Sequence, residues 1–165
     1  MRRVWAAFTV AVVLLLAGCG GGSSDEAAEA GERVDFGFTA TTLDGASFDG
    51  ASLAGKPTVL WFWAPWCGTC RSQAPGVTET ATRFAGKVNV VGVAGLDDPT
   101  AMRQFVSSTG VSAVPHLSDE QGVVWKRFSV VEQSTFVLID AGGSVVFRGS
   151  MPGGKLAGRV ADLAG

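Results

Sequence analysis

Hydrophobic and polar positions along the 165 residues fall into blocks of different period. Val4 to Ala17 is apolar apart from Thr9. Gly20 to Gly31 is small, polar and acidic, with nothing to bury, and reads as a flexible tether. From Phe36 to Phe48 apolar positions alternate weakly about Leu43-Asp44-Gly45, a hairpin-turn signal. Thr58 to Trp63 and Val88 to Ala94 are apolar almost throughout, the pattern of strands covered on both faces of a sheet.

Between those two runs, Gly68 to Phe84 is predicted as a helix that Pro75 kinks by removing one internal hydrogen bond and Gly86 ends. Asp97-Asp98-Pro99 predicts the start of a second helix, with a capping acid and a proline in its first turn, and Gly110 closes it. Val114 to Leu117 then reads as a short strand, Asp119 to Gly122 as a turn and Val123 to Phe128 as a short helix. Thr135 to Asp140 and Ser144 to Arg148, joined by Ala141-Gly142-Gly143, form a hairpin. Leu156, Val160 and Leu163 share one face of a closing helix over Lys155 to Leu163. The order predicts one α/β domain over residues 34–165, opened by a β-hairpin.

Composition changes this picture at the N-terminus. Part of the 47% hydrophobic content lies in Val4 to Ala17, which follows Arg2 and Arg3 and is too short for a comfortable membrane span. It ends in Leu16-Ala17-Gly18-Cys19, which resembles a bacterial lipobox, where the signal is cut before a cysteine that then receives lipid. The expectation is a lipoprotein signal over 1–18, a tether over 19–33 and a domain held at the extracytoplasmic face of the cell membrane. The alternative is an ordinary signal peptide with an incidental Cys19. Net charge is -2, and no basic patch rich in aromatics appears, so nucleic acid is not an expected partner.

The candidate chemistry is Cys67-Gly68-Thr69-Cys70, at the start of the first predicted helix. Two spacer residues put both thiols on one turn, close enough to form a disulfide. Cys67 falls at the helix N-terminus, where unpaired N–H groups favour an anion, and a thiolate is the nucleophile of disulfide exchange. Two other readings stand beside this one. Half a zinc site has the same spacing, but the remaining ligands would have to be Cys19 and His116. A purely structural disulfide closing so short a loop would constrain the unfolded chain little. If Cys19 carries lipid, Cys67 and Cys70 remain as a pair. Exposure at the helix start makes Cys67 the expected attacking thiol, and Cys70, one turn inside, the resolving one.

Trp61-Phe62-Trp63-Ala64-Pro65-Trp66-Cys67-Gly68-Thr69-Cys70, with Pro75 five residues on, resembles the thioredoxin superfamily. Within it the chain is similar to the extracytoplasmic TlpA/DsbE-type proteins, including the secreted and lipid-anchored actinobacterial forms. The resemblance spans about Phe36 to Leu163. It implies a thioredoxin fold with an N-terminal β-hairpin and a central helix-strand insertion. It also implies a thiol-disulfide oxidoreductase acting on exported protein thiols and disulfides. Such a protein needs no cofactor beyond the Cys67–Cys70 disulfide and no metal, and an extracytoplasmic or membrane redox partner recycles it. Gly68 and Thr69 tune the potential in such proteins, and Trp66 shields Cys67 and offers an apolar surface to a substrate.

Two departures stand out. Relatives place a cis-proline before the strand that matches Thr135 to Asp140; Ser134 stands there, and the expected Gln133–Ser134 bond is trans, since a cis bond before a non-proline residue costs ~3 kcal/mol. Ser134 is then expected near Cys67, with its hydroxyl donating to the thiolate. The alternative alignment puts Pro115 in this place. Relatives also bury a carboxylate near the second cysteine, and the matching positions are Trp61 and Gln73, neither an acid. Rival readings are a peroxiredoxin, which would need Thr where Ala64 stands; a copper carrier of the Sco type, for which only His116 could serve; and a non-catalytic adaptor. Otherwise His116 is expected to be structural or solvent-facing.

Overall fold

The computed structural model describes residues 31–165. The expected signal segment, Cys19 and most of the tether lie outside the described residues. Among the described residues no helix is long and apolar enough to cross a membrane.

Two strands, β1 (Thr39–Thr42) and β2 (Ser47–Asp49), form the expected hairpin, with Thr41 opposite Ser47. A 3-10 turn over Gly50–Leu53 leads to β3 (Thr58–Trp63), in which every residue is buried. The next elements are α1 (Gly68–Arg83), β4 (Asn89–Ala94), α2 (Pro99–Thr109) and β5 (His116–Ser118). The chain ends with α3 (Val123–Arg127), β6 (Thr135–Ile139), β7 (Val145–Ser150) and α4 (Gly153–Ala164). The seven strands lie in the order β2-β1-β5-β4-β3-β6-β7. Strand β3 lies inside the sheet, between β4, to which it is parallel, and β6, to which it is antiparallel. This is the thioredoxin fold with the expected N-terminal hairpin, and α2 with β5 is the central helix-strand insertion.

Alternation along β3 divides the core. Val59, Trp61 and Trp63 join a cluster with α1, α2 and α4, including Ala74, Phe105 and Leu156. Leu60 and Phe62 face the other way, onto Val124, Trp125 and Phe128 around α3. Burying each such side chain stabilises the fold by about 1.5–3 kcal/mol, so both faces are needed to close so small a domain.

Predicted caps appear where expected. Asp98 accepts from the N–H groups of Thr100 (2.7 Å) and Ala101 (3.0 Å), and these backbone hydrogen bonds hold its pKa below the usual carboxylate value. Gly110 ends α2 with φ 73°, a left-handed conformation that glycine adopts without a Cβ clash. One boundary moves. Residues 32 and 33, expected in the tether, are docked: Arg33 bridges to Ser144, the Glu32 carbonyl accepts from Val145 N–H, and Glu32 pairs with Arg148 at 2.6 Å. These are backbone and ion-pair contacts across the chain, which no local pattern announces.

Candidate active site

Strand β3 ends at Trp63, and the turn through Ala64-Pro65-Trp66 delivers Cys67 to the N-terminus of α1. Cys67 is the N-cap, with extended backbone (φ -79°, ψ 110°), and its Sγ accepts the Cys70 N–H at 2.9 Å. A helix-start N–H group, unpaired within the helix, is thus satisfied by sulfur. Cys67 and Cys70 are disulfide-bonded with their Cα atoms 5.2 Å apart. Cys67 is 6% exposed and Cys70 0%. Cys70 is the more deeply buried of the two, but Cys67 is far less open than its place at a helix start suggested. Gly68 and Thr69 are exposed on the first turn. Helix α1 runs through Pro75 without ending.

Trp66 is the open residue of the site, 58% exposed, with its indole donating to the Leu96 carbonyl at 3.3 Å. Leu96 itself has φ 62°. That left-handed conformation costs a non-glycine residue about 1 kcal/mol or more, and the Trp66 bond helps to hold it. Beside Trp66 a cleft of about 380 Å³ opens toward the inserted helix α2, lined by Asp97, Gln104 and Phe105. Arg71 lies over the Phe105 ring at 5.3 Å and donates to Ser108 Oγ, placing a cation on the rim one turn from Cys67.

The sheet register answers the question of the loop opposite the disulfide. Phe62 pairs with Thr135, so Ser134 comes level with Trp63 at the edge of the sheet where α1 begins. Pro115 leads into β5, two strands away, and is exposed. The Gln133–Ser134 bond is trans, as expected, since the described residues contain no cis peptide bond. Ser134 instead adopts φ 64°. Its hydroxyl does not serve Cys67: Ser134 Oγ is hydrogen-bonded to Ser150 Oγ at 3.2 Å. That expectation fails because Ser150 is paired with Thr135 across β6 and β7, which draws the two hydroxyls together.

The two positions noted for lacking an acid turn out to be partners. Trp61 Nε1 donates to Gln73 Oε1 at 2.9 Å, and both side chains are fully buried. Gln73 Nε2 donates to the carbonyls of Ser134 (3.0 Å) and Met151 (2.9 Å). Sequence marked these residues only by what they are not. The buried polarity of Gln73, on the face of α1 shared with Cys70 and Ala74, was the signal available.

His116 is structural. It is 5% exposed; its Nε2 lies 3.0 Å from the Val111 carbonyl and its Nδ1 accepts from Trp63 Nε1 at 3.3 Å. An acceptor at Nε2 and a donor at Nδ1 fix the neutral Nε2–H tautomer. Burial lowers the pKa, opposed by the Val111 carbonyl and by Asp44. With both nitrogens engaged, the ring is not free to bind a metal.

Comparison with known proteins agrees with this arrangement. Residues 32–148 match the model of the AhpC/TSA family. The chain is 43% identical over 161 residues to the soluble secreted antigen MPT53 of Mycobacterium tuberculosis, covering 95% of this chain and 89% of that protein. Among solved structures, MTB DsbF in mixed oxidised and reduced forms superposes with a TM-score of 0.73 at 46% identity, over 79% of this chain and 98% of that one. A secreted M. tuberculosis disulfide oxidoreductase homologous to E. coli DsbE gives 0.72 at 45% identity, over 78% and 97%.

Proposed function

The chain belongs to the AhpC/TSA family and is a thioredoxin-like thiol-disulfide oxidoreductase; from that premise we propose that it works outside the cytoplasm on exported protein thiols, chiefly in the oxidising direction. The observation that carries the direction is Cys67 Sγ accepting the Cys70 N–H at the start of α1. The same donor favours a Cys67 thiolate, and stabilising the reduced form makes the disulfide a stronger oxidant. Gln73, neutral and fully hydrogen-bonded, offers no base for the Cys70 proton, which argues against a fast reductase.

In the proposed reaction a substrate thiolate attacks Cys67 Sγ. The Cys67–Cys70 bond breaks, Cys70 leaves as the thiolate, and a mixed disulfide joins substrate to Cys67. A second substrate thiolate then attacks the substrate sulfur of that bond and releases Cys67. The substrate loses two electrons and gains a disulfide, and the protein is left as the dithiol for a partner to reoxidise. In the reverse direction Cys67 attacks a substrate disulfide and Cys70 resolves the intermediate. Trp66, exposed beside Cys67, supplies an apolar surface for the substrate chain. Ala64, buried where a peroxiredoxin would need Thr, supports exchange over peroxide reduction.

Leu16-Ala17-Gly18-Cys19 supports attachment to the membrane through lipid on Cys19. Cys19→Ser should then abolish lipid labelling; unchanged labelling would refute Cys19 as the lipidated residue. For the chemistry, Cys70→Ser leaves Cys67 to attack substrate disulfides with no thiol to resolve the product, so it should trap mixed disulfides with exported proteins, and Cys67→Ser should trap few, the reverse pattern meaning that the roles are exchanged. The potential of the pair should lie closer to about -120 mV than to about -270 mV, the range between strong oxidants and thioredoxin. A value at the lower end would sink the oxidising direction while leaving exchange intact.

A further inference from the structure

Gln73 lies one turn along α1 from Cys70, and both ends of its side-chain amide are hydrogen-bonded. The orientation of that amide is fixed chemically. An indole N–H can only donate, so Trp61 must face Oε1; two carbonyls can only accept, so Ser134 and Met151 must face Nε2. Turning the amide over would set donor against donor and acceptor against two acceptors. Trp61 in turn is held between stacked neighbours, with ring centroids 5.8 Å from Trp63 and 6.4 Å from Phe136. The amide therefore stands on a rigid base.

What it holds is not rigid on its own account. Ser134 has a left-handed backbone and sits in the loop before β6; Met151 sits in the turn between β7 and α4. Both segments come to the end of the sheet where Cys67 lies, by register with β3 through β6. The approach of α4 is close enough that a Cβ on Gly76 would strike Gly153 backbone, and one on Gly153 would come 2.6 Å from the Gln73 carbonyl. Side chains are excluded at both glycines so that the turn can reach the Gln73 amide.

We propose that Gln73 is a positioning residue for thiol-disulfide exchange. Anchored by Trp61, it fixes the Ser134 and Met151 carbonyls and so sets the backbone rim against which a protein substrate lies while its sulfur meets Cys67. A trans, non-proline residue at 134 leaves that loop without the stiffness of a proline ring, and the Gln73 amide supplies the restraint instead. This rests on the exchange reading above.

The substitution that separates this from space-filling is Gln73→Met, which keeps length and volume and removes all three hydrogen bonds. Steady-state exchange would be measured, with oxidised glutathione in fixed excess to re-form the Cys67–Cys70 disulfide and its uncatalysed rate subtracted, on two substrates: reduced, unfolded ribonuclease A as a protein thiol, and dithiothreitol as a small thiol that needs no rim. KM for the protein should rise about ten-fold, the equivalent of one net hydrogen bond, with kcat and the dithiothreitol rate changed less than about two-fold. Trp61→Phe keeps an aromatic ring in place and removes the donor that orients Gln73 together with part of the buried ring volume, so, read by KM and not by stability, it tests the same point should Gln73→Met fail to fold. It should raise KM for the protein in the same sense by a few-fold. A folded variant of either kind with wild-type KM would overturn the proposal, as would an equal loss with both substrates, which would place Gln73 with the thiols and not with the rim. Absence of exchange by the wild-type protein with either thiol would instead refute the underlying activity.

Discussion

The two faces of the central sheet are made by alternate residues of the same strand, yet they treat their buried indoles in opposite ways. On the face of Trp61 and Trp63, below the disulfide, the buried indoles, His116 and Gln73 are joined donor to acceptor. On the face of Leu60 and Phe62 the core is aliphatic and aromatic, and the buried Trp125 Nε1 has no hydrogen-bond partner among the described residues. Buried polar groups must be paired or cost about 1–3 kcal/mol each. A paired network also fixes geometry, which apolar contacts do only loosely. The face that performs chemistry carries the geometry, and the face behind it carries bulk stability.

The largest effect should come from breaking the rear face. Phe62 is fully buried, with Trp125 edge-on at 5.7 Å and Phe128 at 6.1 Å. Phe62→Ala should destabilise the domain by about 3–5 kcal/mol, read as a fall in the urea midpoint. In the fraction that remains folded, the potential of the Cys67–Cys70 pair should be unchanged. A shifted potential in that variant would mean that the two faces are not separable in function.

A sharper comparison applies one truncation to both faces. Trp61→Phe and Trp125→Phe remove similar volume from buried sites. At Trp61 the change leaves Gln73 Oε1 buried without a donor; at Trp125 it removes an N–H that already lacks an acceptor. The first should cost more than the second by about 2 kcal/mol, measured by chemical unfolding of the two oxidised variants. Equal costs would show that pairing on the redox face contributes no more than packing does.

Local pattern made much of this molecule legible. The bounds of β3, the start of α1 and both ends of α2 follow from apolar runs, a capping acid and terminating glycines, all signals carried within a few residues. What local pattern did not reveal was long-range. Trp61 with Gln73, Gln73 with Ser134 and Met151, and Trp63 with His116 join residues far apart in sequence, through polar side chains that in isolation read as unremarkable core or loop. Asp119, read only as part of a turn, is buried and caps α3 through the N–H groups of Val123 and Trp125, both at 2.8 Å. Strand β5 begins at His116 instead of Val114 because Val114 N–H is used in a turn back to Val111. Strand β7 extends to Ser150 because Thr135 is there to pair with it. In the site, the Cys67–Cys70 disulfide is legible from its motif, whereas the partner of the Ser134 hydroxyl is not, because Ser150 lies on another strand.

The smallest predicted effect uses pH to test whether His116 belongs to the paired face as a neutral ring. Nδ1 already accepts the Trp63 N–H, so a second proton there would set donor against donor in a buried site. Gly92, whose Cβ would collide with the ring, leaves no room for the imidazole to turn away. Burial therefore depresses the folded pKa, with the Val111 carbonyl and Asp44 opposing. The unfolded chain, whose histidine titrates near about 6.5, then binds more protons than the folded chain wherever the pH lies below that value and above the lowered one. Stability rises with pH when the unfolded state binds more protons. The His116 contribution should thus be complete above about pH 6.5, decline as the pH falls toward the depressed folded pKa, and level off below it. Urea midpoints taken between neutral and mildly acid pH would show this slope. His116→Gln cannot titrate but can still donate to Val111, so it should flatten the slope in that interval. A slope that persists in the variant would assign the dependence to carboxylates. A slope of opposite sign would mean that the ring is charged in the folded protein, and the neutral network drawn for this face would have to be abandoned.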